Sequence, residues 1–584
     1  MAGAGNFSRS SANIQTDDIF PESEDSRIFH SRYNPGSWPG DIDSAAIERL
    51  ESLGLESSQT YGPDIWLSLN RDLVSYIIKR HPSSPSHPFI RDTSIKIMTT
   101  GGRSDLLQRS SPPVKGEDFL TLRLKKLNDL GAFEHASEIY RQMRDIPYHP
   151  DLVFAGVTAF LGAGENEEAC LEIWAFERFL EDNDLWGDLV NYCNATFRGD
   201  GVSRSIDDSI GATVSDRIAR DDTVEINYDD ILNTPLARLM ILHETGRLSV
   251  VTQAREVRLN TVALSKINFL SQHVDDLPKA LRSAFTLQKY MLGDVPLKEL
   301  KKTYQEIGRA FGTSPMEELR QLPVHMYIPA LYQRYILNDP TLSRSKILSI
   351  LSRESERTHI EALHPFLDLI DIELLSALPE SEQYPFLLAS TTHSDRPEWI
   401  NGYVRKILSR PYGEQSDSES VNNLKLKDVL KLSLAHAITN THTKDASLIY
   451  LNTAHKTLEN IIENRLNGSN LSIFQKMSGI IINLLLDKKS EKSHIPIHVY
   501  EKHLVLTTHI NYVIKSMDVK KQLDSAALQR SESQVLALIL MMIGDTSLHQ
   551  LKPEILYIAV TTMVEVGLAD QAQEIFLSAI NGQH

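Results

Sequence analysis

Two cysteines in 584 residues are too few for a disulfide-built scaffold or a multi-cysteine zinc domain. Catalytic signatures are missing as well: the chain has no H-E-x-x-H, no G-x-S-x-G, no phosphate-binding G-x-x-x-x-G-K-S/T and no C-x-x-C. "MTTGGRSDLL" holds a glycine pair, but no strand precedes it, so it reads as a loop rather than a phosphate cradle. The most apolar runs, "MSGIIINLLL" (477–486) and "VLALILMMIG" (535–544), fall well short of the ~20 residues a membrane span needs. Each reads instead as a helix buried on most sides. Period-two alternation is sustained nowhere, so strands are not expected.

Charge is scarce in one sign and in one place. The chain carries a net −17, and residues 151–250 hold 20 Asp or Glu against 7 Arg and no lysine, a local net of −13. Residues 421–530 hold 9 acidic against 15 basic residues, a net of +6. Such a distribution excludes the broad positive field of a general nucleic-acid binder. It leaves two readings of the acidic stretch: a solvated face, or a contact surface for a basic partner.

What the sequence does hold is helical periodicity. Residues 1–43 are polar and aperiodic and read as a disordered arm. Helices are expected from "DSAAIERLESLG" onward, with one continuous helix over "GPDIWLSLNRDLVSYIIKRHP" closed by Pro82. In "LNDLGAFEHASEIYRQM" (127–143), Gly131 ends one helix and Ala136 sits five residues later in the next. Gly164 with Ala169, and Gly567 with Ala572, repeat that spacing. A glycine corner followed by a small contact residue, recurring after about 34 residues, is the mark of degenerate tetratricopeptide-like hairpins. The expected fold is therefore all-α, an α-solenoid or superhelix of antiparallel helical hairpins. The organisation read from composition is a helical array over 44–408, a flexible linker over 409–423 ("SRPYGEQSDSESVNN") and a second helical block over 424–584.

Candidate site residues are few. Cys170 and Cys193 lie on the apolar faces of consecutive helices, equidistant from a turn near "EDND" (181–184). Antiparallel packing brings such positions to one height, so the two thiols are expected to be close. A bond between them depends on an oxidising compartment; without one they are small buried hydrophobes. His494, His498 and His503 cluster in "HIPIHVYEKH", but Pro496 interrupts the spacing and no further ligand completes a metal set. No catalytic residue, cofactor site or metal site is assigned.

"GLESSQTYGPDIWLSLNRDLVSYIIKRHPSSPSHPFIRDTSIKIM" and the "FLTLRLKKLNDLGAFEHASEIYRQM" that follows resemble a family of uncharacterised alphaproteobacterial helical proteins. Some members of that bacterial family carry the automatic label "antifreeze glycopeptide polyprotein". The matching positions are Gly62, Pro63 and Trp66, then Pro82 and Pro85, then Arg123, Leu127, Gly131 and Ala136. Ala169, Cys170, Trp186 and Cys193 match later elements, so the resemblance covers roughly 45–310. The label carries no chemistry, because the Ala-Ala-Thr repeats of antifreeze glycopeptides do not occur here. The resemblance implies that many members begin with an export signal. The chain as written starts without a basic n-region and apolar h-region, so it reads as cytoplasmic, or as periplasmic if a leader precedes it. The expected function is a non-enzymatic helical-repeat scaffold for protein–protein interaction, binding a protein or peptide partner of basic character. The alternatives are a periplasmic envelope-associated accessory protein and a helical enzyme.

Overall fold

The computed structural model describes residues 44–56, 60–103, 107, 116–143, 149–180, 184–198, 223–251, 261–311, 314–339, 342–354, 359–379, parts of 382–390, and 519–579. The first block holds α1 (Ser44–Glu51), α2 (Arg71–Arg80), α3 (Pro88–Thr99), α4 (Phe119–Asp129) and α5 (Phe133–Arg141). Next come α6 (Pro150–Gly162), α7 (Asn166–Leu180) and α8 (Asp184–Cys193), which runs into a π turn at Asn194–Arg198. A small insertion follows: β1 (Val224–Ile226), α9 (Tyr228–Asn233), α10 (Leu236–Glu244) and β2 (Leu248–Val250). Then come α11 (Leu264–His273), α12 (Lys279–Met291), α13 (Leu297–Arg309), α14 (Met316–Leu319), α15 (Val324–Leu337) and α16 (Arg344–Glu354). Two short helices, α17 (His364–Leu367) and α18 (Ile372–Ser376), precede the C-terminal set of α19 (Val519–Leu528), α20 (Glu532–Ile543), α21 (Pro553–Glu565) and α22 (Ala569–Ala579). The described fold is therefore all-α apart from one pair of strands. The arm at 1–43, the linker at 409–423, the 477–486 run and the three late histidines lie outside the described residues.

Glycine sets the corners. Gly131 has φ +75°, its N–H donates to Asn128 O and the next N–H, of Ala132, donates to Leu127 O. This paired closure of a helix end needs a left-handed residue, which only glycine takes without steric cost. The same two bonds close the helices before Gly164 and Gly567, and also before Gly246 and Gly293. After three of these corners the small residue is fully buried: Ala136, Ala169 and Ala572 each have 0% exposure. Within the first hairpins small residues also admit rings. A Cβ added at Gly156 would stand 2.4 Å from the Tyr140 ring, and one at Gly162 would stand 2.3 Å from the Phe133 ring. Helix α6 thus packs on α5 through its own glycines, and α4, α6 and α7 stack in sequence order.

Two expectations need correction. The helix expected across 63–80 is broken into a single 3₁₀ turn (Pro63–Trp66) and α2, because Asn70 caps α2 by accepting the Leu73 N–H at 2.7 Å. Ser68, with φ +63°, makes the bend between them. Strands were not expected, yet β1 and β2 pair in parallel with Val224 opposite Leu248 and Ile226 opposite Val250. Each is only three residues long, too short for alternation to register, and α9 and α10 form the crossover that parallel pairing demands.

The far end of the chain packs on the near end. Helix α20 holds the apolar run 535–543, which Gly544 caps, and lies against α2, α3 and the 3₁₀ turn. Val535, Leu536, Ala537, Leu538, Ile539 and Leu540 are each at most 1% exposed, and one continuous core joins Ile47 to Ala579. The junction is the loop "HPSSPSH" (81–87). Asp545 Oδ1 accepts the Ser83 and Ser84 N–H groups at 2.5 and 2.9 Å. Lys126 Nζ donates to His81 O at 2.8 Å and to Ser83 Oγ at 2.6 Å. The Leu264 N–H donates to Ser83 O at 3.0 Å, and Gln288 Nε2 donates to Pro85 O at 2.5 Å. A proline-interrupted loop forms no ladder of its own, so its buried polar groups must be met from outside. Here α4, the start of α11, α12 and the α20–α21 connection supply the partners.

A buried histidine, His81, and a half-buried one, His87, form the two ends of that loop. His87 Nδ1 caps α3 by accepting the Phe89 N–H at 3.2 Å, which leaves its proton on Nε2, 3.4 Å from Glu574 of α22. Burial pulls its pKa down to about 4, and burial pulls that of His81 down to about 3. Both values lie below those of the unfolded chain, so the unfolded state takes up protons first as pH falls. The neutral-histidine contribution is fully present above about pH 6.5 and is lost between there and about pH 4 for His87 and about pH 3 for His81. Glu574 and Asp129, whose carboxyls burial pushes up, act in the opposite direction. Replacing His87 with Asn preserves a capping acceptor and removes one titration. Urea melts from pH 7.5 to 4.5 should show a slope shallower by up to about 1.4 kcal/mol per pH unit in the variant below pH 6.5. Parallel pH profiles for the two proteins would contradict this assignment.

Candidate functional site

Three places gather chemistry-bearing side chains. The first is the polar cluster under the junction loop. Ser83 Oγ donates to Asp129 Oδ2 at 3.3 Å while accepting from Lys126, an arrangement with the outline of a serine–lysine pair. Lys126 also donates to the carbonyls of His81 (2.8 Å) and Lys79 (3.4 Å), so the end of α2 takes up its N–H groups. Burial pushes the Asp129 carboxyl up, against the pull of Lys126 and Lys266. Lys266 in turn donates to Ile231 O and Leu232 O at 3.0 and 2.8 Å, closing the end of α9. Both ammonium groups are spent on carbonyls at helix ends and, for Lys126, on the Ser83 hydroxyl, so the cluster braces the fold.

The second is the cysteine pair. Cys170 on α7 and Cys193 on α8 are disulfide-bonded, with Cα atoms 5.5 Å apart and neither side chain exposed. Both come from apolar faces: Ile173 is fully buried beside one, and Trp186 and Leu189 are buried beside the other. The bond sits immediately before the π turn, whose Asn194 accepts from Trp174 Nε1 at 3.1 Å. Together the two links tie the end of α8 back to α7.

The third is the acidic stretch, and the structure divides it. Asp151 is buried and accepts from Lys125 Nζ at 2.7 Å, while Asp188 is buried 3.4 Å from Arg238. Glu165 pairs with Arg141, and Glu172 accepts the Tyr140 hydroxyl at 2.7 Å. Burial, then Glu172, raises the Tyr140 phenol and keeps it a donor. Asp230 completes a capping box with Asn227. These carboxylates serve the fold. Glu167, Glu168, Glu225, Asp229 and Glu244 are exposed, and Leu171, 63% exposed, stands one turn from Glu167 and Glu168 on α7. Residues 199–222, which carry part of the count, lie outside the described residues.

The cysteine bond closes a loop of modest length, and such cross-links contribute about 2–4 kcal/mol. Thiol alkylation of the unfolded native protein, followed by mass measurement, should label neither cysteine without reductant and both with it. Thermal melting should fall by several degrees on reduction. Two alkylated cysteines in unreduced protein would contradict the bonded pair. Compared with protein families, with curated proteins and with solved structures, the chain matches none, so its own geometry carries the functional reading.

Proposed function

We propose that this chain is a non-enzymatic helical-repeat scaffold of tetratricopeptide-like, superhelical character that holds a protein or peptide partner. The observation that carries the reading is the outer edge of α7. There Glu167 and Glu168 are exposed with Leu171 beside them, while the neighbouring Glu165 and Glu172 pair with Arg141 and Tyr140. An exposed apolar side chain ringed by one sign of charge suits a basic segment that brings an apolar residue. Stacked hairpins supply a rigid support for such a contact because each packs on its neighbours. The reading leaves no role for a cofactor, and the contacts of Lys126 and Asp129 support a structural rather than catalytic use of the junction cluster.

A second reading is favoured by the bonded Cys170–Cys193 pair. Persistent disulfides belong to oxidising compartments, which suits an exported, envelope-associated accessory protein. The resemblance to the alphaproteobacterial helical family points the same way. The two readings are compatible, since a scaffold can serve in either compartment.

Affinity purification from the native organism tests the contact surface. Partners held by the wild-type protein at low salt should be largely lost at about 0.5 M NaCl, where screening acts within a few ångströms. They should also be lost from a Glu167→Lys, Glu168→Lys double variant. Equal recovery from both proteins at both salt concentrations would contradict an electrostatic contact on α7.

A further inference from the structure

A cleft opens far from α7, between the α14–α15 connection and the C-terminal end of α16. It encloses about 340 Å³, within the range of small-ligand pockets. Leu322, Val324 and Ile350, all half-buried, form its apolar wall. Arg320, Arg353 and Tyr327 complete the lining, and Arg320 donates a hydrogen bond to the Tyr327 phenol. Arg353 is 73% exposed along its side chain and reaches Glu382 at 3.0 Å, so it belongs to the outer rim. Arg320 is likewise exposed and lies just after α14, four residues before Val324 of the wall. Helix α15 adds to it: the helix is 14 residues long, starts at Val324 in the wall, and has Pro323 at its N-cap with no side-chain hydrogen bond. The positive end of a long helix therefore lies beside the arginine.

We propose that this cleft binds the free C-terminal carboxylate of a peptide whose last residue is apolar. The carboxylate lies on Arg320 near the start of α15, and the terminal side chain lies on Leu322, Val324 and Ile350. Glu354, the remaining lining residue, opposes a dianion and accepts the N–H of the terminal residue. That combination selects a monocarboxylate carrying an amide over a phosphate. The proposal goes beyond the acidic contact on α7, since the charge it reads has the opposite sign and the elements are different.

N-acetyl-leucine and N-acetyl-leucinamide are the probes, titrated into the full chain and followed by saturation-transfer NMR and calorimetry. They share the apolar side chain and the amide and differ only in the carboxylate. N-acetyl-leucine should bind saturably, and the neutral amide at least about tenfold more weakly, a difference of ~1.4 kcal/mol. Arg320→Ala should weaken the acid about tenfold while leaving the amide unchanged, and Arg141→Ala, which removes a cation on α5, should alter neither. Arg320 is exposed, so its variant should melt with the wild type. Equal affinities for acid and amide on the unaltered protein would overturn the proposal. So would full retention of the acid by Arg320→Ala, or no saturable binding of N-acetyl-leucine up to about 10 mM.

Discussion

One buried guanidinium holds the start of the chain together. Arg123 of α4 is 1% exposed and donates from Nη1 to Thr100 O at 2.5 Å and Met98 O at 3.3 Å. From Nη2 it donates to Leu53 O at 2.6 Å and Glu51 O at 3.1 Å. These carbonyls lie at the C-terminal ends of α1 and α3, where helices leave acceptors unmet and where a positive charge is favoured. Burial pulls the Arg123 pKa down to about 10, which still leaves it charged at neutral pH. Glu51, whose carbonyl it takes, sends its carboxylate the other way to Arg71 at 2.5 and 2.8 Å. Removing one member of such a buried charged set costs about 3–5 kcal/mol, because the partners stay behind unpaired. Close backbone contact makes room for it: a Cβ on Gly101 would stand 2.1 Å from Ser52 O, and one on Gly102 would stand 2.0 Å from the Trp66 indole.

That frame accounts for several conspicuous residues of the sequence. Arg123 gathers helix ends, Trp66 fills the space beside Gly102, and Pro82 and Pro85 shape the loop on which four elements converge. Leu127 and Ala136 are fully buried, and Gly131 makes the corner. All of these are requirements of the fold. A pattern made of such residues can persist while the surfaces it supports change.

Local features were legible in the sequence. The corners at Gly131, Gly164 and Gly567 follow from a left-handed requirement that glycine alone meets cheaply, and the burial of 535–544 follows from apolarity without a polar face. Helix boundaries around Ser68 and Asn70 were not, since a cap and a helical position look alike when apolar spacing continues across them. The three-residue strands left no period to read. The docking of α20 on α2 and α3 was hidden for a different reason: Asp545 and Ser83 are 462 residues apart, and nothing local marks a carboxylate as the partner of a distant loop. The acidic stretch was legible as a count but not as a surface. Asp151 and Asp188 are buried and Glu165 and Glu172 are engaged, so the exposed edge of α7 is a smaller and more specific feature than the net charge suggests.

The first and last described helices form one body, closed at the 81–87 loop, on which the outer surfaces are carried. Native-state hydrogen exchange read by mass spectrometry tests it directly, because segments that share a core open together. Amides of α2–α4 and of α20–α22 should exchange with a common free energy of opening, and Asp545→Ala should lower protection in both sets at once. Loss of protection in α20–α22 alone, with α2–α4 unchanged, would show two independent units and contradict the account.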